Sequence, residues 1–280
     1  MMKNILITGI NGLLGSAIKS ILEKNYGVYD IGVDITDGNA VKNVTVPGKK
    51  IDWVIHTAAM TDVNRCEKEQ DACHNVNVEG TKNVGDLAKI LGARLLYVST
   101  VSVFSGKEGN YKETDAPSPV NFYNHTKYEG EKAVLEYEKA LVLRINLIGV
   151  HPDGSRGQNF FEWLVDSVKA NKGITLFSDV MVNPLSNRTV AEFIEKIIEK
   201  EPTAKVLHIA SSNVMSKADI GKYVMEKLGY QGKAGFASVG GQGGAERPKQ
   251  MWLNTDYTCQ KMGWQMPTLE GEIDKILNAS

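Results

Sequence analysis

Residues 3–15 constrain this chain more than any other stretch. Lys3-Asn4-Ile5-Leu6-Ile7-Thr8 is a short apolar run of strand character, Thr8-Gly9-Ile10-Asn11-Gly12-Leu13-Leu14-Gly15 is a glycine-rich turn, and Ser16-Ala17-Ile18-Lys19-Ser20-Ile21-Leu22 has helical spacing. Strand, tight turn and helix in this order give each glycine a job. Gly9 lets the chain turn, Gly12 lets the backbone approach a pyrophosphate, and Gly15 lets the helix pack closely. The N–H groups of Leu13, Leu14 and Gly15 open the helix and are available to phosphates. This stretch is the candidate dinucleotide cradle.

Apolar runs then alternate with amphipathic stretches at residues 51–59, 72–91, 93–99, 123–138 and 140–147. Strands alternating with helices predict an α/β fold with a Rossmann-type, doubly wound parallel sheet. Ligands of such sheets bind at the carboxyl ends of the strands. Those ends carry small or polar residues here: Thr8, Thr57-Ala58-Ala59, Ser99-Thr100 and Asn146. Ala58 and Ala59 would let a dinucleotide lie flat, and close packing explains them equally. From about His151 the character changes to a polar loop at 151–157, a helix over 159–170, a strand over 174–177, a turn at Val182-Asn183-Pro184, and helices over 190–200 and 217–228. The expectation is a cofactor domain over 1–150 and a smaller α/β domain over 151–280, with some segments returning to the first. Residues 235–244 are glycine-rich and read either as a surface linker or as a lid over a substrate.

Two acids compete for the adenosine ribose, which an acid about 20 residues past the glycines would bind. Residues 26–30 form a short second strand ending in Asp30, while residues 31–36 resemble a further strand carrying Asp34. Asp30 on the ribose with Asp34 on the adenine is one reading; two ordinary loop acids is the other. No arginine lies near the turn to receive a 2′-phosphate, which tilts the cofactor reading toward NAD(H) within NAD(P)(H). Tyr123 and Lys127, four residues apart, share a helix face. A tyrosine titrates near 10, and an adjacent ammonium favours its phenolate, so the pair is a candidate proton-transfer device.

The 280 residues are 42% hydrophobic and carry a formal net charge of −1. That balance offers no field to attract nucleic acid or an anionic membrane. No signal-peptide pattern and no stretch of transmembrane length occurs, which predicts a cytoplasmic protein. Cys66, Cys73 and Cys259 form no Cys-x-x-Cys pair and read as reduced thiols; the five histidines show no metal-ligand spacing, so no protein-built metal site is expected.

Taken together, these residues resemble the extended short-chain dehydrogenases/reductases and, among them, the dTDP-4-dehydrorhamnose reductases. The resemblance runs through Thr8 to Gly15, His56-Thr57-Ala58-Ala59-Met60-Thr61-Asp62-Val63, Asn77-Val78-Glu79-Gly80-Thr81 and Ser99-Thr100-Val101-Ser102-Val103-Phe104. It continues through Glu113-Thr114-Asp115, Pro119, the Tyr123/Lys127 pair, Glu131, Asn159-Phe160, Pro184, Arg247-Pro248 and Leu253-Asn254-Thr255. The resemblance implies NAD(P)H-dependent reduction of the ketone of a nucleotide-linked 4-keto-6-deoxysugar. Tyr123 would donate the proton, Lys127 would bind the nicotinamide ribose and hold down the Tyr123 pKa, and Thr100 would hydrogen-bond the reacting oxygen. It also implies Asn77 and Ser99 beside the cofactor, Ser102, Asn159 and Arg247 near the nucleotide-sugar, and a homodimer through helices at 72–91 and 123–138.

Three departures separate this chain from that pattern. Val101-Ser102 stands where Asp-Tyr is usual, Asn124-His125 follows Tyr123 where a glycine and a basic residue are common, and residues 143–152 resemble nucleotide-sugar epimerases. An epimerase that retains NAD is therefore an alternative. Glu131-Lys132-Ala133-Val134-Leu135-Glu136 resembles the regulatory subunit of methionine adenosyltransferase, which makes a non-catalytic binding subunit a further one.

Overall fold

The structure is a computed structural model that describes residues 2–151, 159–239 and 248–279. Its first half runs β1 (Asn4–Thr8), α1 (Leu13–Leu22), β2 (Gly27–Asp30), α2 (Gly38–Lys42), β3 (Trp53–His56), α3 (Val63–Lys68), α4 (Gln70–His74), a π turn (Asn75–Glu79), α5 (Gly80–Leu91), β4 (Arg94–Thr100), α6 (Phe122–Leu135) and β5 (Ala140–Ile145). The second half runs β6 (Leu147–Ile148), α7 (Phe160–Lys169), β7 (Ile174–Phe177), β8 (Met181–Val182), β9 (Leu185–Ser186), α8 (Asn187–Lys200), β10 (Val206–Ile209), β11 (Met215–Ser216), α9 (Lys217–Lys227), β12 (Ala234–Ala237), β13 (Gln250–Met251), α10 (Asp256–Met262) and α11 (Leu269–Ala279).

Six strands form one parallel sheet in the order β10-β5-β4-β3-β1-β2. The chain steps from β1 outward to β2, then returns to β3 on the other side of β1 and proceeds to β10. The strand order thus reverses between β1 and β3, the place where α/β sheets open a ligand crevice. Both faces are covered, which is why β3 and β5 are buried at every residue. On one face Ile18 and Leu22 of α1 pack with Val190, Ile194 and Ile197 of α8; on the other, Val84 and Leu87 of α5 pack with Val54, Leu95 and Val142. A third apolar cluster joins Phe104 and Tyr111 to α7, β7, α9 and α11.

Sequence and structure differ at two places. Residues 31–36 are not a strand: Gly32 has φ +70°, and the Asp34 carboxylate accepts from the Thr36 N–H at 2.9 Å and the Thr36 hydroxyl at 2.8 Å, closing a turn. Residues 234–237, which overlap the start of the glycine-rich stretch, are not a loop but strand β12, paired in parallel with β7 from Ala234↔Ile174 to Ala237↔Phe177. Phe236 is the one bulky residue among alanine and glycine there, which leaves no alternating β pattern to read. Residues 240–244 of that stretch and 152–157 of the polar loop lie outside the described residues.

α11 is latched to the start of α8 by Glu272, which has no exposed surface. Its carboxylate accepts from the Ser186 N–H (2.8 Å) and hydroxyl (2.7 Å), the Thr189 hydroxyl (3.0 Å) and the Lys275 ammonium (2.8 Å). Burial favours its neutral form, but these donors outweigh it and hold the carboxyl below the ordinary value. A depressed folded-state pKa adds stability that is present above the unfolded value and lost as pH falls through the folded one. Glu272→Gln should therefore cost about 1.5–3 kcal/mol at pH 7, measured by denaturant unfolding. The gap between variant and parent should narrow as pH drops below the ordinary Glu value of 4.5; a gap that stays constant would contradict the latch.

Candidate active site

The site begins where β1 ends. Gly9 has φ +68°, and a Cβ there would lie 2.8 Å from the Ala58 nitrogen. A Cβ on Gly15 would lie 2.1 Å from the Gly9 carbonyl oxygen. Glycine at both positions lets the turn, the end of β3 and the start of α1 touch backbone to backbone. Gly12 is the N-cap of α1 and offers no side chain to its first N–H groups. The residues present therefore fit a dinucleotide: a cradle with no Cβ in the way, with the N–H groups of Leu13, Leu14 and Gly15 at its floor. Asp30 is exposed at the tip of β2, while Asp34 is exposed in the following turn with one carboxylate oxygen engaged by Thr36. Ala58 and Ala59 are half-buried just past β3.

Behind the cradle runs a row of buried hydrogen bonds. The Thr8 hydroxyl accepts from the N–H groups of Thr57 and Ala58, both at 3.2 Å, so its hydrogen points to Nδ1 of His56 at 2.7 Å. His56 then carries its hydrogen on Nε2 and donates to the Thr81 hydroxyl at 2.9 Å, which donates to the Asn77 carbonyl at 2.7 Å. The Asn77 amide is committed as well. Its oxygen accepts from the Met60 N–H at 2.8 Å, and its nitrogen donates to the Met60 carbonyl and the Thr126 hydroxyl, both at 3.0 Å. Asn77 sits in the π turn, a helix irregularity found often at functional sites. Its amide hydrogens are engaged, which leaves the second lone pair of its oxygen as the amide's free position for a cofactor donor.

The Thr126 hydroxyl donates to the Tyr123 carbonyl at 2.8 Å, which brings the row to α6. Asn121 caps this helix by accepting from the Asn124 N–H at 3.0 Å. Lys127 extends its ammonium to the Val98 carbonyl at 3.0 Å and over the Tyr97 ring, 4.2 Å from its centre. Tyr123 lies one turn earlier on the same face, and Thr100 lies two residues beyond Val98, so the fold gathers Thr100, Tyr123 and Lys127 at the end of β4. Thr100 accepts from the Ser102 N–H at 3.1 Å and keeps its own hydrogen to donate. Ser102 is half-buried in the 3₁₀ turn that follows.

The electrostatics differ from the expected pattern in one respect. Burial pushes the Tyr123 phenol above the ordinary tyrosine value, with Cys66 and Cys73 adding to it. Burial likewise brings Lys127 down to about 7, against the pull of Glu131 and Cys73. The expected lowering of the phenol is thus not what the fold produces, because burial favours the neutral phenol. Ser99 faces Glu131, to which its hydroxyl donates at 2.5 Å.

Asn159, expected near the nucleotide-sugar, stands immediately before α7. It caps α7, accepting from the N–H groups of Phe161 (2.9 Å) and Glu162 (3.1 Å), with Glu162 completing a capping box. It also lines a cavity past the end of β5 together with Asn146, Phe160, Pro184 and Lys217. Lys217 and Phe160 were not legible as site residues: Lys217 reads as an ordinary helix start, and only the fold places its ammonium 4.8 Å from the Phe160 ring centre. Arg247 lies outside the described residues. Cys66, Cys73 and Cys259 are free thiols. Among the described residues no group of three His, Cys, Asp or Glu is placed to hold a metal ion, and no helix is long and apolar enough to cross a membrane.

A doubly wound sheet with a glycine cradle at its switch point and a Tyr/Lys pair beside the end of β4 defines the class of nicotinamide-dependent reductases with an extended short-chain fold. Residues 2–280 match the RmlD substrate binding domain, and the chain belongs to that family. A relative from Haloferax volcanii, described as a probable low-salt glycan biosynthesis reductase, is 30% identical over 95% of each chain. The dTDP-4-dehydrorhamnose reductase of Bacillus anthracis, solved in complex with NADP, superposes with a TM-score of 0.92 at 28% identity over the whole of both chains. Subunit beta of methionine adenosyltransferase 2 from Bos taurus is 36% identical over 158 residues, 52% of this chain and 47% of that one.

The two buried histidines give a direct check on the site. His56 is brought down to about 3 by burial and by Lys127, and His208 to about 3 by burial and by Arg144. A lowered imidazole pKa means the neutral form persists throughout the physiological range. His208 accepts from Arg144 at Nε2 (3.4 Å) and donates from Nδ1 to the Tyr111 carbonyl (3.1 Å), the tautomer opposite to that of His56. Nitrogen-15 NMR should show both rings unprotonated from about pH 5 to 8, one as each tautomer. Titration of His56 in that range would break the proposed row.

Proposed function

We propose that this chain is an NAD(P)H-dependent reductase of the ketone of a nucleotide-linked 4-keto-6-deoxysugar, with Tyr123 as proton donor. The observation that carries the reading is the placement of Thr100, Tyr123 and Lys127 at one strand end beside a cradle that fits a dinucleotide. Support comes also from family membership over 2–280 and from the NADP-bound reductase relative. When bound, the reduced nicotinamide supplies hydride to the carbonyl carbon. The Tyr123 phenol, kept protonated by burial, donates its proton to the carbonyl oxygen and gives an alcohol. The Thr100 hydroxyl donates a hydrogen bond to the same oxygen as charge develops on it. Lys127 stabilises the phenolate that remains and binds the nicotinamide ribose.

Asp30 is the candidate ribose ligand, since it ends β2 with its carboxylate exposed. The first arginine in the chain is Arg65, so no guanidinium from the cradle or the β2 loop meets a 2′-phosphate. That supports a preference for NADH over NADPH, which differs from the cofactor in the Bacillus anthracis relative. Asn159 and the cavity it shares with Asn146 and Lys217 take the nucleotide-sugar. The exposed faces of α5, which carries Ile90, and of α6 are the candidate contacts of a homodimer.

A second reading, a regulatory subunit without turnover, draws on the match to subunit beta of methionine adenosyltransferase 2 over about half of each chain. Tyr123→Phe separates the two. It should reduce turnover by about 10² or more while cofactor affinity changes little, read from nicotinamide absorbance with a panel of nucleotide-linked 4-keto-6-deoxysugars. Full activity in the variant would remove Tyr123 from the chemistry, and no turnover in the parent would favour the binding subunit.

A further inference from the structure

Tyr123, Lys127 and Glu131 recur every four residues along α6 and so stand in one row on its buried side. Lys127 is 4% exposed, yet its contacts, the Val98 carbonyl and the Tyr97 ring, bring no net charge. Such an ammonium needs a counter-charge in reach to remain ionised. The groups that face it are His56 from β3, Cys73 from α4, Tyr97 from β4, and Tyr123 and Glu131 from its own helix. Of these Glu131 carries a carboxylate, and it is 1% exposed. Glu131 is itself gripped from behind. Arg144 on β5 grips it with two bonds, Nε to Oε1 at 2.9 Å and Nη2 to Oε2 at 2.7 Å, and Ser99 adds a third. Arg144 in turn points Nη1 at neutral His208 and lies 5.0 Å from the Phe104 ring centre.

We infer that Glu131 is a positioning residue for the proton-transfer pair: the buried row of alternating charge, Lys127, Glu131 and Arg144, keeps Lys127 an ammonium beneath Tyr123 without Glu131 touching substrate or cofactor. A purely structural ion pair would tie α6 to β5 and leave the charge of Lys127 unaffected. The charge row stands on the fold; its consequence for turnover rests on the reductase reading. Burial, which favours neutral Lys127, would then act unopposed once the carboxylate is removed.

The test is carbon-13 NMR of the lysine ε-carbons in the protein without added nucleotide, with Lys127 assigned by Lys127→Arg. In Glu131→Gln the Lys127 midpoint should fall by about one pH unit or more, a tenfold loss of ammonium at a fixed pH above it. Because that variant leaves Arg144 buried and unpaired, Glu131→Gln combined with Arg144→Met provides a neutral pair that preserves the packing; there the fall should be smaller but in the same direction. With a turned-over sugar, the high-pH limb of kcat should move down with the midpoint. An unchanged or raised midpoint in the folded double variant would overturn the inference. Failure of every keto-sugar to react would sink the reductase reading and leave the titration result standing.

Discussion

Backbone meets backbone where β1 ends, and the rest of the site follows from that contact. No Cβ fits on Gly9 or Gly15, so the turn sits against Ala58 and α1 starts directly above it. The side chain that follows from this closeness is Thr8, which gathers the Thr57 and Ala58 N–H groups and passes its hydrogen to His56. From His56 the bonds continue through Thr81 and Asn77 to Thr126 on α6. Cradle and Tyr/Lys helix are thus registered to each other by neutral, fully paired groups. Neutral pairing matters because Thr8, His56, Thr81, Asn77 and Thr126 are buried, and an unpaired polar group there would cost about 1–3 kcal/mol.

The sheet was legible because its signal is local. Short apolar runs, amphipathic helices and polar strand ends encode a parallel sheet wherever they alternate, and β1, β3, β4 and β5 fall where periodicity places them. The Tyr123/Lys127 pair was legible for the same reason, since helical spacing is read directly. What stayed hidden depends on distant partners. Residues 31–36 have strand-like composition, but Gly32 and the Asp34 carboxylate close a turn instead. Residues 234–237 look like a loop until β7 is beside them. The π turn at Asn75–Glu79 is invisible in the amphipathic pattern, because it is set by what Asn77 bonds to across the fold.

The charge on Lys127 is the least legible property of all. Position 131 is the next step of the same four-residue period, so the row along α6 is visible in the sequence, but its partner Arg144 comes from β5, and no local spacing links the two. Burial of both charged groups is what converts a common helical spacing into an electrostatic device. The same burial raises Tyr123, so the phenol stays protonated at neutral pH, the form the proposed proton donor requires.

An epimerase retaining its cofactor would use the same fold and the same tyrosine, so the outcome of hydride transfer distinguishes the two. The decisive measurement is mass spectrometry of the product formed with NADH or NADPH deuterated at the transferring position of the nicotinamide ring. The account predicts that the sugar product carries the deuterium on its new carbinol carbon while the cofactor is oxidised in equal amount. An epimerised sugar without deuterium, formed with no net oxidation of the cofactor, would contradict it.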